Sequence, residues 1–113
     1  MYPPNVRYAF EKMYADLSER ISQLTSNCKV EEKYSQDRMG ENSTYEFSIK
    51  RLQDQEIEGA VYLTMGGVEL WGVSRVRKVE KVFKQLKQEF SPKKFNERFD
   101  AYKKEYDDIQ REI

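Results

Sequence analysis

The sequence predicts an α+β domain, with an N-terminal helix, a four-stranded antiparallel meander and two C-terminal helices. Three observations carry this expectation. Ala60 to Met65 and Val68 to Val73 mirror each other in polarity across Gly66-Gly67, the pattern of a β-hairpin. Apolar residues recur at helical spacing before and after the central region, whereas Tyr45, Phe47 and Ile49 within it alternate with polar residues. A chain of 113 residues has material for one core, so residues 1–113 are read as a single compact domain.

Pro3-Pro4-Asn5 opens a stretch in which Phe10, Met13, Leu17, Ile21 and Leu24 share one face, with Glu11, Asp16, Glu19 and Arg20 on the others. This is a long amphipathic helix ending near Ser26-Asn27. Cys28 to Tyr34 is extended and charged, with Val30 its one strong β-former, and reads as an edge strand. Ser35 to Thr44 reads as a loop. Tyr45, Phe47 and Ile49 then alternate with Glu46, Ser48 and Lys50 over a second strand with a polar outer face. After a charged connection from Gln53 to Glu58, the hairpin supplies strands three and four. A two-residue Gly66-Gly67 loop would set Leu63 opposite Leu70 and Val61 opposite Gly72 on an aliphatic face. The same register sets Tyr62 opposite Trp71 and Thr64 opposite Glu69 on the other face.

Ser74 is placed to cap a second helix, in which Val76, Val79, Phe83, Leu86 and Phe90 form a narrow stripe. Ser91-Pro92 stops that helix and starts a third, lined on one face by Phe95, Phe99, Tyr102, Tyr106, Ile109 and Ile113.

Composition removes most catalytic classes. Hydrophobic residues make up 38% and charged residues 35%, so a small interior must lean on eight Tyr and six Phe. With no histidine, imidazole-based acid–base chemistry, Ser-His-Asp and Cys-His nucleophiles and imidazole zinc sites are excluded. Cys28 is the only cysteine and reads as a small buried hydrophobe, and no intrachain disulfide can form. No catalytic residue, cofactor or metal site is expected. The absence of a secretory leader or an apolar span leads us to expect a cytoplasmic protein without a membrane partner. Glu31-Glu32 and Asp107-Asp108 read as solvated charges, because neither pair sits in an apolar setting that would raise a pKa.

Formal net charge is zero but unevenly spread, at −4 over 1–74, +6 over 75–94 and −2 over 95–113. Arg75, Arg77, Lys78 and Lys81 fall in the first turns of the second helix, where the macrodipole disfavours cations. Arg77, Lys81 and Lys84 form one ridge suited to phosphates or an acidic protein surface. The plainer alternative is a solvated helix face. Tyr62 and Trp71 are the second candidate, a platform to stack bases or to anchor a partner's side chain. The plainer alternative there is that the third helix folds over them with its Phe95, Phe99, Tyr102 and Tyr106 stripe. If it does not, that stripe becomes a partner or homodimer surface.

The order of helix, antiparallel sheet and helix is similar in layout to double-stranded-RNA-binding domains, frataxin-like proteins and bacterial secretion chaperones. The first of these places a basic cluster at the start of the helix after the sheet, as Ser74-Arg75-Val76-Arg77-Lys78 with Lys81 does here. This chain departs from that pattern in its four strands, in Val79, Val82 and Phe83 where small residues are usual, and in lacking a histidine-containing loop. The leading expectation is a non-catalytic regulator or inhibitor that binds another protein. The alternative is binding of duplex RNA or DNA through the basic helix 75–90.

Overall fold

A computed structural model describes residues 2–37, 42–72 and 76–113 and has the expected α+β architecture. In chain order the elements are α1 (Pro4–Leu24), β1 (Cys28–Gln36), β2 (Ser43–Arg51), β3 (Ile57–Thr64), β4 (Gly67–Gly72), α2 (Arg77–Glu89) and α3 (Pro92–Glu112). The strands form an antiparallel sheet in the order β1-β2-β3-β4, so β1 and β4 are its edges.

Alternation along each strand divides the sheet into two unlike faces. Phe47, Ile49, Val61 and Leu63 point inward, are fully buried, and join a core with Met13, Leu17 and Ile21 of α1, Val79, Val82 and Leu86 of α2, and Phe95 of α3. All three helices therefore cover the same face of the sheet. Aromatic rings fill the α1 side of this layer. Tyr14 stacks on Tyr45 with centroids 4.1 Å apart, and Phe10 and Tyr34 contact Tyr45 at 5.5 and 4.8 Å.

α1 and α3 run antiparallel, as their cross-contacts show. Tyr8 meets Tyr106 at 5.4 Å between centroids, and Arg98 lies 3.6 Å from Asp16. The Tyr102 hydroxyl donates to the same Asp16 carboxylate. Arg20 of α1 closes the other end on Glu89 of α2 at 2.7 Å. The aromatic stripe of α3 is spent here, and this corrects the expectation that α3 covers Tyr62 and Trp71. With its stripe turned toward α1 and the core, α3 cannot also reach the far side of the sheet.

Three boundaries differ from the sequence reading. β1 and β2 reach further into the expected Ser35 to Thr44 loop, with Ser35 paired to Thr44 and Gln36 to Ser43. The hairpin turn is Met65-Gly66, one residue earlier than expected, with Thr64 paired to Gly67, Tyr62 to Glu69, Val61 to Leu70 and Ala60 to Trp71. Gly67 has φ +136°, a conformation that favours glycine, and this fits the end of a strand. The Thr64 hydroxyl accepts the Gly66 N–H at 3.2 Å and lies 3.3 Å from the Gly67 carbonyl, to which it donates. The shift moves every partner by two residues, so each side chain keeps its face. α2 begins at Arg77 with Val76 at its N-cap position and no side-chain cap, and the expected cap Ser74 lies outside the described residues. At α3 the expectation holds, with Ser91 accepting the Lys94 N–H at 3.4 Å and Pro92 opening the helix.

α2 is seated by a pair of glycines. Gly59 and Gly72 face each other across β3 and β4, and the Phe83 ring lies over them. A Cβ on Gly59 would come within 2.7 Å of Val79 Cγ1 and 2.8 Å of Phe83 Cζ, and one on Gly72 would run into the Phe83 ring. Gly72→Ala should therefore cost about 1–3 kcal/mol of stability in urea denaturation, with part of the loss recovered by Phe83→Leu in the same background.

Burial, then the hydrogen bond to Asp16, pushes the Tyr102 hydroxyl up to about 12 from 10.0. A raised folded-state pKa means that the contribution is complete below pH 10 and lost as pH rises through about 12. Tyr102→Phe should remove that part of the alkaline loss of stability, followed by circular dichroism.

Candidate functional site

The outer face of the sheet is built by the residues that the strand pleat turns away from the helices. One row across it reads Lys33, Glu46, Tyr62 and Glu69, and the next reads Glu31, Ser48, Ala60 and Trp71. Trp71 is 60% exposed and Ile57, further along β3, is 48% exposed, whereas Ala60 between them is only 3% exposed. Tyr62 and Trp71 lie on the same face, as expected, but are diagonal neighbours. Glu69 stands directly opposite Tyr62 and two residues from Trp71 on β4.

The Tyr62 hydroxyl donates to Glu46 Oε1 at 3.2 Å. Burial and this carboxylate together raise the Tyr62 pKa, which keeps the phenol protonated. Tyr62, Glu69, Leu70 and Trp71 line an open notch of 400 Å³. Glu69 has no ion-pair partner among the described residues. Glu69 is the contributor that the sequence reading missed. With the hairpin turn placed one residue late it faced Thr64, whereas the observed register puts it between the two aromatic rings.

The basic residues of α2 form a separate surface. Arg77, Lys78, Lys81 and Lys84 are exposed, and none has an ion-pair partner among the described residues. Arg75 lies outside the described residues. Lys78 and Lys81 also border a cleft of 320 Å³ between the end of α1, the start of β1 and α2, with Leu24, Ile49, Val79 and Val82 in its wall. Cys28 reaches this cleft half-buried, and burial raises its thiol pKa, which disfavours the nucleophilic thiolate.

The expected partner stripe of α3 is placed differently. Phe95 is 2% exposed, Phe99 and Tyr102 pack against the core, and Tyr106 contacts Tyr8. The adjacent carboxylates on β1 are separated by the pleat. Glu31 is on the outer face, where its ion pair with Lys50 lowers its pKa. Glu32 is on the inner face, where it accepts hydroxyls from Tyr14 and Ser18. Asp108 lies 3.7 Å from Arg111 on α3, and both Asp107 and Asp108 are exposed. Among the described residues no group of three His, Cys, Asp or Glu side chains is placed to hold a metal ion, and no helix is long and apolar enough to cross a membrane.

Compared with protein-family models, with curated proteins and with solved structures, the chain shows no match.

Trp71 is the only tryptophan, so its environment can be read directly. Its fluorescence should be quenched by acrylamide nearly as readily as that of free indole, and Trp71→Ala should change stability by no more than about 0.5 kcal/mol, as for a surface position.

Proposed function

We propose that the protein is a non-catalytic, cytoplasmic binding module, a small regulator or inhibitor that engages another protein through the outer face of β3 and β4. The observation that carries this reading is Trp71, 60% exposed on the sheet face opposite the helical core. Exposing an indole beside Tyr62 leaves apolar area in water that a partner would bury, and tryptophan and tyrosine are enriched among the residues that dominate binding energy. The packing of α3 against α1 narrows the choice of surface, since its aromatic stripe is already occupied. The absence of histidine and the raised thiol pKa of Cys28 support a role without turnover.

One observation favours a second reading. Arg77, Lys81 and Lys84 lie on one side of α2 without an ion-pair partner among the described residues, which suits the phosphates of duplex RNA or DNA.

The two readings predict opposite results with the same variants. Immobilised wild type should retain a protein from nuclease-treated extract, and Trp71→Ala should weaken that retention by about tenfold or more while replacement of Arg77, Lys81 and Lys84 leaves it intact. Mixed-sequence RNA and DNA duplexes should show no anisotropy change at low salt. Duplex binding that the α2 replacement abolishes, with retention indifferent to Trp71, would transfer the function to α2. Retention unchanged in both variants would dismiss both surfaces.

A further inference from the structure

We propose that the free edge of β4 accepts an extended, basic segment of a partner protein as a fifth strand, seating one of its arginine or lysine side chains between Tyr62, Glu69 and Trp71. This rests on the reading that the outer face of β3 and β4 binds a protein, and it specifies the occupant.

The two edges of the sheet are guarded unequally. β1 carries Lys29, Glu31, Glu32 and Lys33, and such charges discourage pairing with a foreign strand. β4, with the sequence Gly-Val-Glu-Leu-Trp-Gly, has one charge, no lysine and no proline. As the last strand of the sheet, β4 pairs on one side only with β3 among the described residues, and a strand added on its other side would gain main-chain bonds whatever its sequence.

The side chains beside that edge supply the selectivity. Glu69 is exposed, directly opposite Tyr62 and two residues from Trp71, without an ion-pair partner among the described residues. Glu46, next in the row, holds the Tyr62 hydroxyl. Lys33 stands opposite Glu46 on β1, leaving the Glu69 end of the row without a cation. The Glu69 carboxylate and the rings of Tyr62 and Trp71 line an open notch of 400 Å³, with Glu46 held behind Tyr62, and together they are the electrostatic complement of a cationic side chain. A phosphate or an acidic segment would be repelled. Residues two positions apart on an added strand share a face, so those beside Glu69 and Trp71 both point outward and are basic, and those between them, facing inward beside Val68 and Leu70, are apolar.

The test uses the full chain and fluorescein-labelled ten-residue peptides, read by anisotropy and by quenching of Trp71. One peptide alternates arginine and valine, a second has glutamate for arginine, and a third keeps the arginines but has proline for valine. The first should bind, and the second and third should not. Glu69→Gln should weaken the first about five- to tenfold, with Trp71→Ala as an independent variant of similar effect. Amides of β4 should gain hydrogen-exchange protection in the complex. Equal binding of the glutamate peptide would overturn the charge selection, and equal binding of the proline peptide would overturn strand addition. If the arginine peptide fails to bind while protein retention still depends on Trp71, this inference is wrong and the broader reading stands. Loss of both results would remove both.

Discussion

The antiparallel contact between α1 and α3 is the constraint on which the rest of this structure depends. A chain of this size has one aliphatic sheet face to bury and three amphipathic helices with which to bury it. By meeting α1 through Tyr8, Asp16, Tyr102 and Tyr106, α3 commits the aromatic part of its stripe to the layer that already holds α1 and α2, while Ile109 and Ile113 at its end stay exposed. The far side of the sheet is then left to water. Its polar rows and its exposed indole follow from a packing decision made on the opposite face.

That arrangement also sorts charge that cancels in the total. Exposed cations without an ion-pair partner among the described residues gather along α2, while the outer face near the β3–β4 hairpin presents Glu46 and Glu69 around two aromatic rings. A chain with zero formal net charge thus carries two surfaces of opposite potential. The cleft beside Cys28 lies on the cationic side, adjoining α2.

Much of the fold was legible because periodicity reports which side of an element faces the core. Phe47 and Ile49 on β2, Phe10 to Leu24 on α1 and the Ser91-Pro92 restart all follow from spacing and capping chemistry alone. Two things were not legible. Gly66-Gly67 offers two glycines to a two-residue turn, and local sequence does not say which is the strand end; the Thr64 hydroxyl and the positive φ of Gly67 decide it, and with it the identity of the residue facing Tyr62. The fate of the α3 stripe was the second. An aromatic helix face has the same pattern whether it closes on another helix or on a sheet, and the choice rests on contacts more than eighty residues apart in the chain, such as Asp16 with Tyr102.

The nine-residue strand β1 illustrates how unevenly such a layer is held. Among its inward positions Cys28 and Val30 pack against the core, the half-exposed Tyr34 meets Tyr45, and Glu32 is tied to α1 by the hydroxyls of Tyr14 and Ser18 in place of apolar contact. Every residue from Glu31 to Gln36 is exposed. Its amides should exchange sooner than those of β2 and β3, because releasing β1 leaves Phe47, Val61 and Leu63 beneath the helices. An edge released in this way would leave the β3–β4 hairpin and its outer face in place.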